Sequence, residues 1–515
     1  MGRSCTPGAL GETAQRRLEF ATASEEAAPG DPAKREARFL DDSPDKIFLA
    51  DERLDIYLKA IDLGWVIELR QQLDQMDLSL LTQAYSSEGR KAIHPRVMLG
   101  LIVWGMLQRQ WSLRELQALA RRDVAAWWVC GGHQPDHSTI GKFIRLHAEV
   151  LTEEFFTEVV RHLVKKLRLK PATIGGDGTI IEAAGANLRR LKLEAAREAA
   201  EQAGGDPQEN AQAIDALEKR AEQNRERGRS DGQVSLCVSE PTAVVQPCKD
   251  GRVRAAYKPS IWVHQAGLII SQYVDPCSEP AAIPPLLDQH RAVFGEVPPR
   301  LLLDAGFNGI ATLRRLLAAE IDVLIPGGKV IDGHWDKPNS GRFLAKARFR
   351  YDETADLYHC PGDQTLLPAE RGKARGTRPA YRVYRGKQCA QCPLRPQCTK
   401  SAARSIRRYE GEELREAMAE VLAQSRARAT YRQRASIAEP PFAELKHRQG
   451  LTRFHRRGPL GVRVEFALHC IAFNLKKALH TRSWLVFVLS VRDNRPSGDD
   501  RCFLVAVIEV RGPDF

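Results

Sequence analysis

The hydrophobic spacing of this 515-residue chain changes at Pro171. From Ile56 to Leu169 apolar residues recur every three or four positions, as in HPRVMLGLIVWGMLQRQ, which predicts amphipathic helices. Beyond Pro171, ATIGGDGTIIEA and RLLLDAGFNG have strand patterns, and RVRAAYKPSIWVHQAGLIISQYVDP predicts two strands joined at Gln265-Ala266-Gly267. The helix ATLRRLLAAE and the strand IDVLIP follow. We therefore expect an α+β or mixed fold: an N-terminal helical domain, then a mixed sheet with helical cover.

Charge narrows the range of partners. The net charge of +12 and the isoelectric point near 9.2 favour a polyanion, either nucleic acid or an anionic membrane surface. No apolar run reaches the roughly 18 residues of a spanning helix, and the N-terminus lacks the apolar core of a signal peptide. Eleven cysteines, most of them scattered singly, indicate reduced thiols. These features predict a cytoplasmic protein without a membrane partner.

Composition shifts divide the chain into six expected segments. They are a mobile leader (1–45), a helical DNA-binding-like domain (46–170), the first part of a sheet core with a charged helical insertion at about 186–232 (171–326), a cysteine-bearing insertion (327–408), a C-terminal helical part of the core (409–482) and a tail of unknown role (483–515).

Short helices with clear starts occupy the N-terminal region. Ser112 and Glu115 form a capping box, and Ser138 is expected to cap the helix that follows it. That helix carries Lys142, Arg145 and His147, so the region resembles a helix-turn-helix DNA reader. The alternative is a plain helical subdomain whose basic residues are solvated.

Two aspartates stand where apolar strands are predicted. Asp177 lies within a strand and Asp304 at the end of one, and each needs compensation there. Phosphodiester chemistry uses divalent cations held by carboxylates from separate elements, and Mg²⁺ prefers such oxygens. We therefore expect a metal to meet Asp177. Taken singly, Asp304 could instead cap a turn and Asp177 could sit at a glycine-rich bulge. Glu182 and Glu240 are expected to be solvated.

Three segments of the chain resemble the acidic motifs of bacterial insertion-sequence transposases of the DDE type. They are GGDGTIIEA, LLLDAGFNG and YRQRASIAEPPFAELKHRQGLTRFHRRG, in this order. The resemblance runs from about Ile56 to Leu479 and includes the N-terminal helical region (IHPRVMLGLIVWGML, SLRELQ, PDHSTIGKF) and the cysteine-bearing insertion of one subgroup. It implies a ribonuclease H-like α/β catalytic core with an insertion.

The resemblance also assigns residues. It makes Asp177, Asp304 and Glu439 the catalytic acids and the ligands of Mg²⁺ or Mn²⁺. Its last motif adds Tyr431, Arg434 and Lys446. Because Pro440 and Pro441 follow Glu439, we expect that acid at a helix start. Glu444 is the competing third acid.

A basic run follows the third acid. Its members are Lys446, His447, Arg448, Arg453, His455, Arg456 and Arg457. Beside a metal-binding acid, such residues are well placed to hold the phosphates that flank a scissile bond. A solvated face is the alternative.

The insertion contains the cysteine cluster. YHCPGDQ supplies Cys360, and KQCAQCPLRPQCTK supplies Cys389, Cys392 and Cys398. Four thiols with one CxxC pair are typical of a structural Zn²⁺ site, which would replace a missing core. An iron–sulfur cluster or free thiols are the alternatives.

These features together predict a DNA transposase. We expect it to bind the terminal inverted repeats of its element, as a homodimer on double-stranded DNA, and to catalyse metal-dependent strand cleavage and strand transfer. The alternatives are a catalytically inactive or regulatory sequence-specific DNA-binding protein and a structure-specific nuclease on the same core.

Overall fold

The computed structural model describes residues 37–185, 190–192, 214–215, 218, 221–222, 235–237, 239–248, 250–327, 330–331, 334–335, 343–374 and 379–493. Helices and sheets are both present, so the α+β or mixed class is confirmed. Most of the helical insertion expected at about 186–232 lies outside these residues. So do residues 1–36 of the leader and 494–515 of the tail.

Eight helices of the N-terminal region follow a short hairpin of β1 (Phe48–Leu49) and β2 (Glu52–Arg53). They are α1 (Leu54–Ala60), α2 (Trp65–Asp74), α3 (Ser79–Thr82), α4 (Pro95–Leu107), α5 (Leu113–Arg122), α6 (Val124–Cys130), α7 (His137–Leu146) and α8 (Glu153–Lys166). Nearly every residue of α4 is buried, as expected of a helix that is apolar on all sides.

The helix starts follow from side-chain caps. At α5, Ser112 and Glu115 form the expected capping box. At α7, the prediction that Ser138 is the cap is wrong. The carboxylate of Asp136 accepts from the backbone N–H of Thr139 at 2.7 Å and from the Ser138 hydroxyl at 3.1 Å. An aspartate placed before the helix is the better acceptor, and Ser138 only supports it.

A mixed sheet forms the centre of the molecule. Its strands are β3 (Thr173–Gly178), β4 (Ile181–Glu182), β5 (Arg190–Lys192), β6 (Ser235–Cys237), β7 (Val244–Pro247), β8 (Val253–His264), β9 (Ile269–Asp275), β10 (Arg300–Leu302) and β11 (Asp322–Leu324). β8 pairs in antiparallel fashion with β3 and with β9, whereas β3, β10 and β11 run parallel in that order. The hairpin of β8 and β9 turns at Gln265–Gly267 as expected.

Helices cover this sheet and join it to the N-terminal region. α9 (Ile283–Phe294) packs on β9 and α8, and α10 (Ile310–Ala318) packs near β11. The last helix, α14 (Gly458–Asp493), contacts α4, α8 and β9, so the N-terminal helices and the sheet share one hydrophobic core. α14 also continues across the boundary expected at 482/483. No helix in the described part of the chain combines the length and apolarity needed to cross a bilayer.

The cysteine-bearing insertion has a sheet of its own. After the pair β12 (Val330–Ile331) and β13 (His334–Trp335) comes a five-stranded antiparallel sheet. Its strands are β14 (Arg350–Asp352), β15 (Leu357–His359), β16 (Thr365–Gly372), β17 (Tyr381–Gly386) and β18 (Ser405–Tyr409), with the short helix α11 (Arg395–Cys398) before the last. Its core is small: Phe349, Tyr358, Leu366, Tyr384 and Ile406.

Two helices lead from the insertion back to the sheet. They are α12 (Glu412–Ala423) and α13 (Ser425–Ala443), and a π-helical turn, Glu444–Arg448, continues α13. The expectation that Glu439 begins a helix is wrong, because Pro440 and Pro441 lie inside α13. Proline in a helix costs about 3 kcal/mol or more. Ile437, Ala438, Pro441 and Phe442 are buried and α13 contacts β3, so apolar burial offsets that cost.

Candidate active site

Asp177 and Asp304 lie at the same end of neighbouring parallel strands. Leu302 of β10 is opposite Gly175 of β3 in the parallel register. Asp304 follows Leu302 by two residues, and Asp177 follows Gly175 by two. The alternation of side chains along strands therefore brings the two carboxylates to adjacent positions on one face.

Asp304 is held by its own turn. Its carboxylate Oδ1 accepts from the backbone N–H of Gly306 at 2.9 Å and caps a short 3₁₀ turn, Ala305–Phe307. Burial raises the pKa of Asp304, the nearby Glu279 carboxylate raises it further, and the Arg434 charge opposes them. The turn fixes the orientation of the carboxylate.

Asp177 is met by an arginine. The side chain is 19% exposed, and its Oδ1 lies 3.6 Å from Nη1 of Arg434. The same Nη1 donates to the carbonyl of Gly176 at 3.3 Å. Arg434 is thus the cation beside this carboxylate in the structure, and a metal as its partner stays a prediction.

Glu439 comes to the site on α13. Its Oε1 lies 3.4 Å from Nη2 of Arg434, so one guanidinium group spans Glu439 and Asp177. The helix can lie this close to β3 because Gly175 has no side chain: a Cβ there would be 2.9 Å from Cγ2 of Ile437 and 3.3 Å from Cβ of Ala438. The carboxylate of Glu439 is 60% exposed, which leaves it open to solvent and ligands.

Tyr431 is one helical turn before Arg434 and belongs to the same cluster. Burial raises the pKa of Tyr431, the charges of Asp304 and Asp177 raise it further, and the Arg434 charge lowers it. The phenol therefore stands among both aspartates and the arginine.

Two of the basic residues predicted to bind DNA contact the main chain next to the site. The Lys446 ammonium donates to the Thr179 hydroxyl and, at 3.2 Å, to the carbonyl of Ile180. The Arg453 guanidinium donates to three carbonyls, those of Ala183, Ala184 and Gly185, at 3.2, 3.0 and 2.9 Å. Both side chains thus tie the segment after Asp177 to the π-helical turn and the loop that follow α13.

The remaining residues of the basic run differ in exposure. Arg448 and Arg457 are exposed, whereas Arg456 is half-buried and burial lowers its pKa. On α7, Lys142 and Arg145 are exposed. His147, which follows α7, is buried and bonds to the Tyr85 hydroxyl at 3.2 Å, so it does not share the exposure of Lys142 and Arg145.

The other acids have different partners. Glu444 is paired with Lys476 at 2.9 Å and with Arg448 at 3.3 Å. The expectation that Glu182 and Glu240 are solvated is wrong. Glu182 is 16% exposed and pairs with Arg254 at 3.3 Å. Glu240 is 1% exposed and accepts from the Tyr257 hydroxyl and the Gly458 N–H, both at 2.7 Å.

The four cysteines of the insertion come together. All four line one cavity beside Phe349 and Arg404. The sulfurs of Cys392 and Cys360 lie 3.2 and 3.8 Å from the position of a Cβ built on Gly362, and the backbone N–H of Arg404 donates to the sulfur of Cys389 at 3.4 Å. Across the part of the chain that the structure describes, however, no three His, Cys, Asp or Glu side chains are grouped as a metal site.

Sequence reasoning missed Glu279. It lies in the loop between β9 and α9, next to Asp304, and pairs with Lys258 of β8 at 3.3 Å. A glutamate in a polar loop carries no signal in the sequence, since its partners are distant in the chain.

Two family models match the chain. One, described as "Transposase DDE domain", matches residues 359–479, and the other, "Transposase domain (DUF772)", matches residues 47–146. Glu439 and the four clustered cysteines lie within the first match, while Asp177 and Asp304 lie outside both. A search of curated proteins finds no match.

Proposed function

Because the two domain matches indicate that this chain belongs to the insertion-sequence DDE transposase family, we propose that it binds the terminal inverted repeats of its element and catalyses metal-dependent DNA strand cleavage and strand transfer. The family implies DNA binding and an enzyme of the transposase or nuclease class. The identity of the ends, the strand-transfer step and the roles of individual residues are our proposal.

One observation carries it. Asp177 in β3 and Asp304 just after β10 occupy equivalent positions at one end of two parallel strands, and the Arg434 guanidinium links Asp177 to Glu439 of α13. Acids from three separate segments thus lie around Arg434 at one edge of the sheet. Among the described residues these acids are not already grouped as a metal site, so the proposal requires them to close on the cation. We propose that β9, β8, β3, β10 and β11, with their covering helices, are the ribonuclease H-like core that the resemblance implies.

The donors suit a hard divalent cation. Asp177, Asp304 and Glu439 would hold Mg²⁺ or Mn²⁺, since carboxylate oxygens are the ligands that these ions prefer. When bound, the ions would make a water or a sugar hydroxyl nucleophilic and stabilise the leaving oxygen. The raised pKa of Asp304 agrees with this role, because a nearby cation relieves the cost of ionising a buried carboxyl.

Arg434 has a second task in this proposal. Its guanidinium now neutralises Asp177 and Glu439 at 3.6 and 3.4 Å. If those carboxylates held a cation, the Arg434 guanidinium would no longer be needed to neutralise them and would be repelled by the like charge. Arg434 is then available to a DNA phosphate, for which its planar fork of N–H donors is suited. Tyr431 is placed beside it to orient the same phosphate.

The DNA path follows the exposed basic side chains. Arg448 and Arg457, which follow Glu439 in the sequence, and Lys142 and Arg145 on α7 would contact phosphates. Arg456, Lys446 and Arg453 border the path, and their present contacts to the chain would position it. Two element ends must be held together for strand transfer, so the proposed assembly on DNA is a homodimer.

The cysteine cavity would hold structural Zn²⁺ in this proposal. Four sulfurs around one cavity suit the tetrahedral preference of zinc, and the small core of the insertion would gain stability from it. Four thiolates would leave no open coordination position, so the ion would not take part in catalysis.

The test uses end-sequence DNA with Mg²⁺. The parent protein should nick and join strands, whereas Asp304→Asn should bind the same DNA with unchanged affinity and fail to cut it. Cutting by the variant at the parent rate would refute the assignment of Asp304. Binding by the parent without cutting in Mg²⁺ or Mn²⁺ would leave a regulatory DNA-binding protein, and hydrolysis without joining would leave a nuclease.

A further inference from the structure

Glu279 occupies an unusual place between the two acid-bearing segments. It follows β9 and precedes a 3₁₀ turn, Pro280–Ala282, that leads into α9. Its side chain is only 15% exposed, and its Oε1 accepts from the Lys258 ammonium at 3.3 Å. Lys258 itself is 22% exposed on β8, the strand paired with β3.

The side chain of Glu279 fills the space above two glycines. A Cβ on Gly178, next to Asp177, would be 2.9 Å from Cγ and 3.1 Å from Oε1 of Glu279. A Cβ on Gly306 would overlap Oε2 of Glu279 and would lie 3.0 Å from Oδ1 of Asp304. Glu279 therefore contacts the end of β3 and the turn after β10 at once, with its carboxylate beside that of Asp304.

This contact lies between the two segments that carry the aspartates. Asp177 still pairs with Ile261 of β8, but both aspartates lie two residues beyond the last pair, Leu302 and Gly175, that joins β10 to β3. Glu279 lies between the two segments there. Its ion pair with Lys258 anchors it to a third strand, β8. Groups that orient metal ligands in this way typically contribute about 10–100-fold to metal affinity.

We propose that Glu279, restrained by Lys258, is a positioning residue of the divalent-cation site: it sets the distance between Asp177 and Asp304 and so determines the affinity for Mg²⁺ or Mn²⁺. The inference rests on the proposed function, because it assumes that the two aspartates hold the cation. It requires no direct bond between Glu279 and the ion.

The test is Mn²⁺ binding by the full chain without DNA, measured by titration calorimetry and by the loss of the free-Mn²⁺ paramagnetic resonance signal. Glu279→Ala should raise the Mn²⁺ dissociation constant about tenfold or more. Saturating Mn²⁺ should restore the DNA nicking rate of Glu279→Ala to that of the parent. The variant would then need more Mn²⁺ but reach the same maximal rate. Lys258→Met should act through the same contact, so the double variant should be no worse than Glu279→Ala alone.

Two further variants keep the result interpretable. Glu279→Gln retains the shape of the side chain and loses its charge. If Glu279→Ala does not fold, Glu279→Gln still tests whether Glu279 affects Mn²⁺ affinity. We expect Glu279→Gln to melt near the parent temperature and to bind Mn²⁺ several-fold more weakly. Glu370→Gln is the matched control, because it removes an ion-paired glutamate, 2.8 Å from Arg385, in the insertion. It should leave Mn²⁺ affinity unchanged.

Folded Glu279 variants that bind Mn²⁺ within twofold of the parent would overturn the inference. Additive effects of Glu279→Ala and Lys258→Met on Mn²⁺ affinity would overturn the part assigned to Lys258. Asp304→Asn, measured in parallel, separates the two proposals. If it abolishes Mn²⁺ binding and cutting while the Glu279 variants change neither, only the role of Glu279 is wrong. If Asp304→Asn binds and cuts like the parent, the proposed site itself is wrong.

Discussion

The close approach of α13 to β3 predicts that a single methyl group at Gly175 impairs the protein. A Cβ at this position would lie 2.9 Å from Cγ2 and 3.0 Å from Cβ of Ile437. Optimal carbon contacts are about 3.5–4.0 Å. The helix and the strand must therefore separate by roughly 0.5–1 Å in Gly175→Ala, since Cβ of Ile437 cannot move without the helix backbone.

The cost follows from this displacement. Forcing an extra methyl group into a packed interface costs about 1–3 kcal/mol of unfolding free energy. Replacing glycine by alanine also lowers the conformational entropy of the unfolded chain, which stabilises the folded protein by about 0.4–1 kcal/mol. The expected net loss is about 1–2 kcal/mol. The effect on DNA cleavage should be larger, because α13 carries Arg434 and Glu439, and a displacement near 1 Å at reacting groups can reduce the rate about 100-fold.

Chemical denaturation and single-turnover cleavage of end-sequence DNA measure the two effects. Gly327→Ala is the matched control, since a Cβ at Gly327 meets no atom within 4 Å. It should change the unfolding free energy by less than about 0.5 kcal/mol. Ile437→Ala removes the nearest clashing atom, so the pair of substitutions should show a favourable coupling of about 0.5 kcal/mol or more. Full activity and stability of Gly175→Ala would refute the packing argument.

Three further predictions concern stability and metal content. Asp123→Ala should cost about 2–4 kcal/mol of unfolding free energy, because Oδ1 of Asp123 caps α6 at 2.7 Å and accepts from the Trp104 indole N–H at 3.0 Å; Asp123→Asn keeps an acceptor, so a loss of equal size in that variant would contradict this reasoning. Burial lowers the pKa of His290 to about 4. As pH falls below about 6.5, this histidine is protonated in the unfolded chain before it is protonated in the folded protein, so the unfolding free energy should drop by roughly 1–2 kcal/mol by pH 5. Denaturation curves of His290→Gln should show a smaller drop. An equal drop would mean that His290 is not its cause. The parent should contain about one zinc per chain by atomic absorption and Cys392→Ser much less, whereas a zinc-free parent would leave the cysteines as free thiols.

Local patterns in the sequence predicted many of the elements. The strands that carry Asp177 and precede Asp304, the hairpin at Gln265–Gly267 and the capping box at Ser112 each depend on a few neighbouring residues, and the structure contains all of them. An apolar run interrupted by an aspartate is visible in the sequence because burial and charge conflict at one position.

Contacts between distant segments could not be predicted. The prolines after Glu439 indicate a helix start locally, and only the burial of neighbouring residues against β3 shows why α13 continues through them. The ion pair of Arg434 with Asp177 likewise joins residues that are far apart in the chain. The position of Glu279 depends on Gly178 and Gly306, whose segments meet only in the fold. Glu240 is buried for the same reason, since its partners lie on β8 and at the start of α14.

Metal-directed cleavage of the protein tests the central claim most directly. Fe²⁺ in place of Mg²⁺, with ascorbate and peroxide, generates radicals that cut the backbone next to the bound ion. We predict cuts in three segments, around Asp177, Asp304 and Glu439, that Mg²⁺ suppresses and that Asp304→Asn abolishes. Cuts confined to other parts of the chain, or an unchanged pattern in Asp304→Asn, would contradict the convergence of these acids on one cation site.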